Sequence, residues 1–153
     1  MKRDQARIIL EHALAELANV RRHLDYSSKQ VAALPDTLEG ATEQQLESEE
    51  AFTARFVRAV DLLVNKLLRS LDRVELNPEG TLLDIINRAE KRGLVGRAEE
   101  LRDMKDVRNM IAHDYAGARA AEIFAYCREQ KPVFDGICDR VVAETRQILT
   151  ARS

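Results

Sequence analysis

Between Ala6 and Val31, apolar side chains return in steps of four and three: Ala6, Leu10, Ala13, Leu17, Val20 and Leu24, with one seven-residue step closing the run. That spacing gathers them on one face of a helix but would scatter them over both faces of a strand. The same period governs a second segment, where Phe52, Phe56, Val60, Leu63, Leu67, Leu71 and Val74 form one row. Val57, Val64 and Leu68 add a second row beside it. A helix with so wide an apolar face is buried on more than one side, so this segment is expected at the centre of a bundle. No stretch has strand periodicity. The 153 residues include only 6 Gly and 3 Pro, too few turn formers for a many-stranded sandwich or barrel.

The boundaries follow from local chemistry. Leu34-Pro35-Asp36 ends the first helix, and residues 35–42, with Pro35 and Gly40, read as a loop. Thr42 with Gln45 three residues on forms a capping box, which satisfies two free N–H groups at a helix start. Asn77-Pro78 marks a break, with the proline suited to a first helical turn. Leu82, Ile85, Ile86 and Ala89 line a shorter helix that stops at Gly93. The next starts near Gly96 and turns Ala98, Leu101, Met104, Val107 and Ile111 inward, and Ala116-Gly117-Ala118 connects it onward. Ile123 and Phe124 precede Pro132; Phe134, Ile137, Val141, Ile148 and Leu149 follow it. A proline deep inside a helix costs about 3 kcal/mol, so two helices are expected here, broken near Pro132. The fold class is all-α: one domain over residues 1–153, an up-and-down bundle of five to six helices.

Composition excludes several classes of function. Lys and Arg number 24 against 26 Asp and Glu, so the pervasive basic surface of a protein that coats nucleic acid is absent. A local basic pocket remains compatible with that balance. Cys127 and Cys138 have no metal-ligand or disulfide spacing and sit among apolar helical residues, as reduced core thiols do. The start Met1-Lys2-Arg3-Asp4 is charged where a signal peptide needs an apolar run. No apolar stretch approaches the roughly 20 residues that span a bilayer. A cytoplasmic protein without membrane contact is expected. There is no Gly-rich phosphate loop and no Asp/Glu/His/Cys ligand cluster, so neither cofactor nor metal is expected.

Histidine is the side chain that exchanges protons near neutrality, and the chain has three. His12 and His23 lie among charged neighbours on the first helix and fit a solvated face. His113 stands near a helix end, in Val107-Arg108-Asn109-Met110-Ile111-Ala112-His113-Asp114-Tyr115. Arg102, Lys105, Asn109 and His113 share a polar stripe at steps of three and four. Arg108 lies about 140° around an ideal helix from His113, so their heads converge only if the long arginine sweeps round or the helix ends there. Guanidinium grips phosphate oxygens and imidazole moves protons, a pair suited to phosphate chemistry. Spacing alone nevertheless favours an exposed arginine and a C-capping histidine, because Arg7 and His12 repeat the interval with an apolar Ile8 after the arginine. Glu49-Glu50 and Glu99-Glu100 read as solvated helix faces. The basic stretch Arg88–Arg97 reads as solvated surface, with RNA backbone contact as the alternative.

Arg108-Asn109 followed by Ala112-His113-Asp114-Tyr115 resembles the signature of HEPN-domain proteins, an Arg, a polar residue, a short gap and a His at a helix end. The tyrosine two residues past the histidine is similar to the form found in HepT toxins of HEPN/MNT toxin–antitoxin systems. A short all-helical chain ending in a helix, a proline-marked break and another helix resembles them too. Only the Arg108–Tyr115 segment is specific.

The resemblance implies metal-independent cleavage of RNA, tRNA among the candidates, at the cleft of a homodimer where two motif copies meet. It implies His113 as the general base toward a ribose 2′-OH and Arg108 as stabiliser of the charge building on phosphorus. Asn109 would orient His113 or the phosphate, with Arg102 and Lys105 as further RNA contacts. Tyr115 would accept AMP from a cognate MNT-type nucleotidyltransferase antitoxin, filling the site with phosphate and bulk. The residues by themselves fit a half-buried Tyr115 ring capping the helix equally well. The alternative function is a non-catalytic HEPN module that binds a nucleotide or a nucleotidyltransferase. A purely structural helical partner is disfavoured, since packing needs none of the types at 108, 109, 113 and 115.

Overall fold

The computed structural model describes residues 2–151, which contain helices and no strand. Helix α1 spans Arg3–Val31 and α2 spans Glu43–Asp61. The chain continues from α2 without a break through a π-helical segment, Leu62–Leu68, into α3, Arg69–Val74. Helices α4 (Leu82–Lys91), α5 (Ala98–His113) and α6 (Ala120–Ala151) complete an all-α bundle of five helical rods. No described helix is long and apolar enough to cross a membrane.

The rod from α2 to α3 is the centre. Phe52, Phe56, Val60, Leu63, Val64, Leu67, Leu68, Leu71 and Val74 are all buried on it, and α1 packs along its whole length. The inward stripe of α1 is as spaced, except that Val20 is only partly buried. The gap between Leu24 and Val31 is filled by a buried Ser27, whose hydroxyl accepts from Arg55 Nη1 at 2.8 Å. Two aromatic pairs fasten α6 to the centre: Phe52 meets Phe124 edge-on at 5.9 Å, and Phe56 meets Phe134 at 5.7 Å. Cys127 and Cys138 are buried free thiols on α6, each pushed up to about 12 chiefly by burial.

The capping box at Thr42 is present, with Thr42 and Gln45 each bonding the other's backbone N–H. Thr81 and Asp84 make a second one at the start of α4. Pro78 therefore lies outside the helix rather than in its first turn. At Gly93 the chain has φ +75°, the left-handed turn that ends α4. The break expected near Pro132 does not occur, since α6 runs unbroken through it. Pro132 is exposed, so its ring displaces no core side chain, although it leaves the Arg128 carbonyl without its helical N–H. Buried Phe124 and Cys127 before it, with Phe134, Ile137 and Cys138 after it, hold both halves on the same core. Packing outweighs the local penalty.

Arg128, one turn before that proline, also fixes the loop after α1. Its guanidinium donates to the carbonyl of Ala32 at 3.2 Å, to the carbonyl of Leu34 and to Asp36 Oδ1 at 3.2 Å. It lies 5.0 Å from the ring centroid of Phe124. Glu49, expected on a solvated face, is buried on α2 and accepts from Thr53 Oγ1 at 3.3 Å. Burial raises its pKa.

Candidate active site

Helix α5 carries every residue of the motif except Asp114 and Tyr115. Its inner face, Ala98, Leu101, Met104 and Val107, is buried against α2, α4 and α6. Ile111, expected to face inward, is exposed, because the last turn of α5 extends past the core. That projection brings His113 to the surface as the final residue of the helix. Asp114 leaves helical geometry with φ −95° and ψ 64°, and Gly117 reverses the chain with φ +69°. The Asp114 carboxylate accepts the backbone N–H of Arg119 at 2.9 Å, just before the first residue of α6. The turn is thus held from within while its side chains face water. The Tyr115 ring is 91% exposed, so it does not pack as a half-buried cap.

Arg108 points elsewhere. Its Nη2 donates to Asp61 Oδ2, at the end of α2, while Lys105 Nζ donates to Asp61 Oδ1 at 2.6 Å. The Lys105 side chain is 14% exposed and that of Asp61 17%, whereas Arg108 keeps 63%. Asn109 donates to Asp106 Oδ1 at 3.0 Å, along its own helix, and not to His113. Among the described residues His113 makes no side-chain hydrogen bond and no ion pair. The structure therefore places Arg108, Lys105 and Asn109 together and leaves His113 and Tyr115 on the adjoining helix end.

A groove of about 390 Å³ runs between α4 and α5. Arg102, Lys105, Asp106, Arg108 and Asn109 form one wall, with three cations to one acid, and Leu82, Leu83 and Ile86 form the other. Its cationic and apolar walls suit a ligand with phosphate and a flat apolar part. A larger hollow of about 700 Å³, lined by Arg3, Arg73 and Leu76 among others, contains none of the motif residues. Among the described residues no group of three or more His, Cys, Asp or Glu could hold a metal ion. In the basic stretch Arg88–Arg97, Arg88 is paired with Asp72 at 3.0 Å and Arg92 with Glu144 at 3.0 Å. Those two guanidinium groups tie helices together, whereas Arg97 pairs locally with Glu100 at 3.3 Å and stays exposed.

Asp61 was missed in the sequence, although a signal for it exists. It is the sole acid between Ala51 and Leu71, where the apolar rows are densest. An acid there must be paired or cost several kcal/mol of desolvation. Nothing local says which cation pairs with it, because Lys105 lies 44 residues away and Arg108 lies 47 away.

The model of the family described as Ribonuclease HepT-like matches residues 10–141. No curated protein and no solved structure matches the chain.

Proposed function

The chain belongs to the HepT-like ribonuclease family, and on that premise we propose that it is the toxin ribonuclease of a HEPN/MNT toxin–antitoxin pair. It works in the cytoplasm as a homodimer and cleaves RNA, tRNA among the candidates, without metal. The observation that carries this reading is the surface of the α5 terminus, where His113, Tyr115 and most of Arg108 are open to solvent within one short segment.

In the reaction His113 takes the proton from a ribose 2′-OH. The freed 2′-oxygen forms a bond to the adjacent phosphorus, and the bond from phosphorus to the 5′-oxygen of the next nucleotide breaks. The product is a 2′,3′-cyclic phosphate, and the departing 5′-oxygen takes up a proton. Arg108 meets the negative charge that accumulates on the phosphoryl oxygens, with guanidinium N–H donors left over from its bond to Asp61. Asn109, whose amide is engaged by Asp106 rather than by His113, acts on the phosphate. Arg102 and Lys105 add positive charge beside the groove.

The 140° between Arg108 and His113 on one helix is the reason for the second copy, since two α5 ends meeting at a cleft would bring an Arg108 and a His113 to one phosphate. A partner MNT-type nucleotidyltransferase silences the toxin by transferring AMP to the Tyr115 hydroxyl. The AMP phosphate then lies beside Arg108 and His113, where RNA would otherwise bind.

The test is incubation of the purified protein with total RNA in EDTA, beside Arg108→Ala and His113→Ala. Tyr115 is first shown free of AMP by intact mass. Cleavage by the wild type that both substitutions slow by about 10²-fold or more is the expected result. Intact RNA after incubation with unmodified wild type would overturn the reading and leave a binding module in its place.

A further inference from the structure

We propose that Asp61 is a positioning residue for Arg108, tying one edge of the guanidinium to the central helix and so fixing where its remaining donors point. Its catalytic consequence rests on the ribonuclease reading above; the tether itself does not.

Three observations converge on it. The first is the division of labour at the carboxylate, where one oxygen holds Arg108 and the other holds Lys105. A carboxylate alone beside Arg108 would cancel its charge and weaken its grip on phosphate. With Lys105 on the second oxygen, two cations face one anion, and the trio keeps a net positive charge. Lys105 thereby serves as a charge balance, and its low exposure fits that role.

The second observation is the exposure gradient. Lys105 and Asp61 are mostly covered, while Arg108 is open, so the anchored part of the network lies inside and the free part faces the groove. An arginine with no tether would sample many rotamers and lose that freedom on binding RNA.

The third is the backbone beneath. Asp61 immediately precedes the π-helical segment Leu62–Leu68, inside an otherwise regular rod. Such segments are rare and occur frequently at functional sites. Leu63, Val64, Leu67 and Leu68 are buried on that segment, so the local register is locked by the core and Asp61 has a rigid base.

The test compares wild type, Asp61→Asn, Asp61→Glu, Arg108→Ala and the Asp61→Asn/Arg108→Ala double variant. Each is measured for melting temperature, single-turnover cleavage and RNA affinity. The Arg108 guanidinium NMR resonances are read in wild type and in both single Asp61 variants. In wild type the Nη resonances should be split by slow rotation about the Nε–Cζ bond, and in Asp61→Asn they should collapse. Cleavage by Asp61→Asn should slow by about 10- to 100-fold, the scale of a misplaced catalytic group, with a smaller change in affinity. Asp61→Glu should recover part of the rate, and Asp61→Asn should add nothing to Arg108→Ala. Unchanged Arg108 resonances in a folded Asp61→Asn overturn the tether, whatever the activity. A full additional loss in the Arg108→Ala background, or no loss of cleavage at all, overturns the catalytic role. If the wild type cleaves no RNA while the resonances respond, the ribonuclease reading fails and the tether stands.

Discussion

The chain contains the interval Arg, four residues, His on two helices, and the two copies end differently. On α1, Arg7 turns into the bundle and its Nη2 donates to the carbonyl of Leu149 at 2.8 Å. It ties α1 to the last turns of α6. His12, five residues on, stands in the middle of a 29-residue helix and is exposed. On α5, Arg108 stays largely in solvent and His113 is the last helical residue. Identical spacing thus yields a structural fastener in one place and an open, chemically available pair in the other. What separates them is where each helix ends and what lies opposite.

The sharpest way to break this contrast is by substitution at the two histidines. His113→Ala should lower the rate of RNA cleavage by about 10²- to 10⁴-fold, the usual weight of a general base. Arg108→Ala should cost about 10²- to 10³-fold, the scale seen for one transition-state donor. His12→Ala should leave the rate at the wild-type value. A loss at His12 as large as at His113 would erase the distinction between the helices.

At the arginines the contrast should invert between activity and stability. Arg7→Ala removes a charged, part-buried hydrogen bond and should destabilise by about 1–2 kcal/mol. Thermal melting would show that as a drop of a few degrees, with cleavage below the transition unchanged. Tyr115→Phe should be milder still, leaving melting and cleavage near wild type because the exposed ring supports nothing. Its effect should appear when the partner nucleotidyltransferase is supplied with ATP: intact mass should show no AMP on the variant, and RNA cleavage should persist.

The smallest effect concerns the buried side of the same contrast. Burial raises the pKa of Glu49, so the folded state holds its proton at pH values where the unfolded chain has released it. Stability therefore falls as pH rises through the window just above the ordinary carboxylate value. Glu49→Gln should be more stable than wild type at neutral pH, by less than about 1 kcal/mol. The gain should vanish below the ordinary carboxylate pKa, as paired melts at the two pH values would show.

Much of the fold was legible because its period was redundant. Seven or more apolar positions per long helix point the same way, so the misfit at Val20 or the gap at Ser27 does not disturb the reading. Pro132 was misread because a local penalty of about 3 kcal/mol is set against core contacts that only the folded chain makes. Glu49 looked solvated for the same reason, since its neighbours on α2 do not reveal which face α1 and α6 cover. At the site, the motif residues were visible as types at intervals, while Asp61 and the partners of Lys105 and Asn109 were not.

The sequence by itself determined an all-helical bundle, its caps at Thr42 and Gly93, and the segment where Arg108, Asn109, His113 and Tyr115 lie close along the chain. These are local or periodic properties, set by spacing and by backbone geometry within a few residues. Tertiary structure alone decided that Arg7 is a fastener and that Arg108 is held by Asp61. It also decided that α6 crosses Pro132 intact and that the end of α5 projects beyond the core. Each of those outcomes depends on a partner tens of residues or more away, and side-chain spacing within one helix carries no information about what another helix brings opposite it.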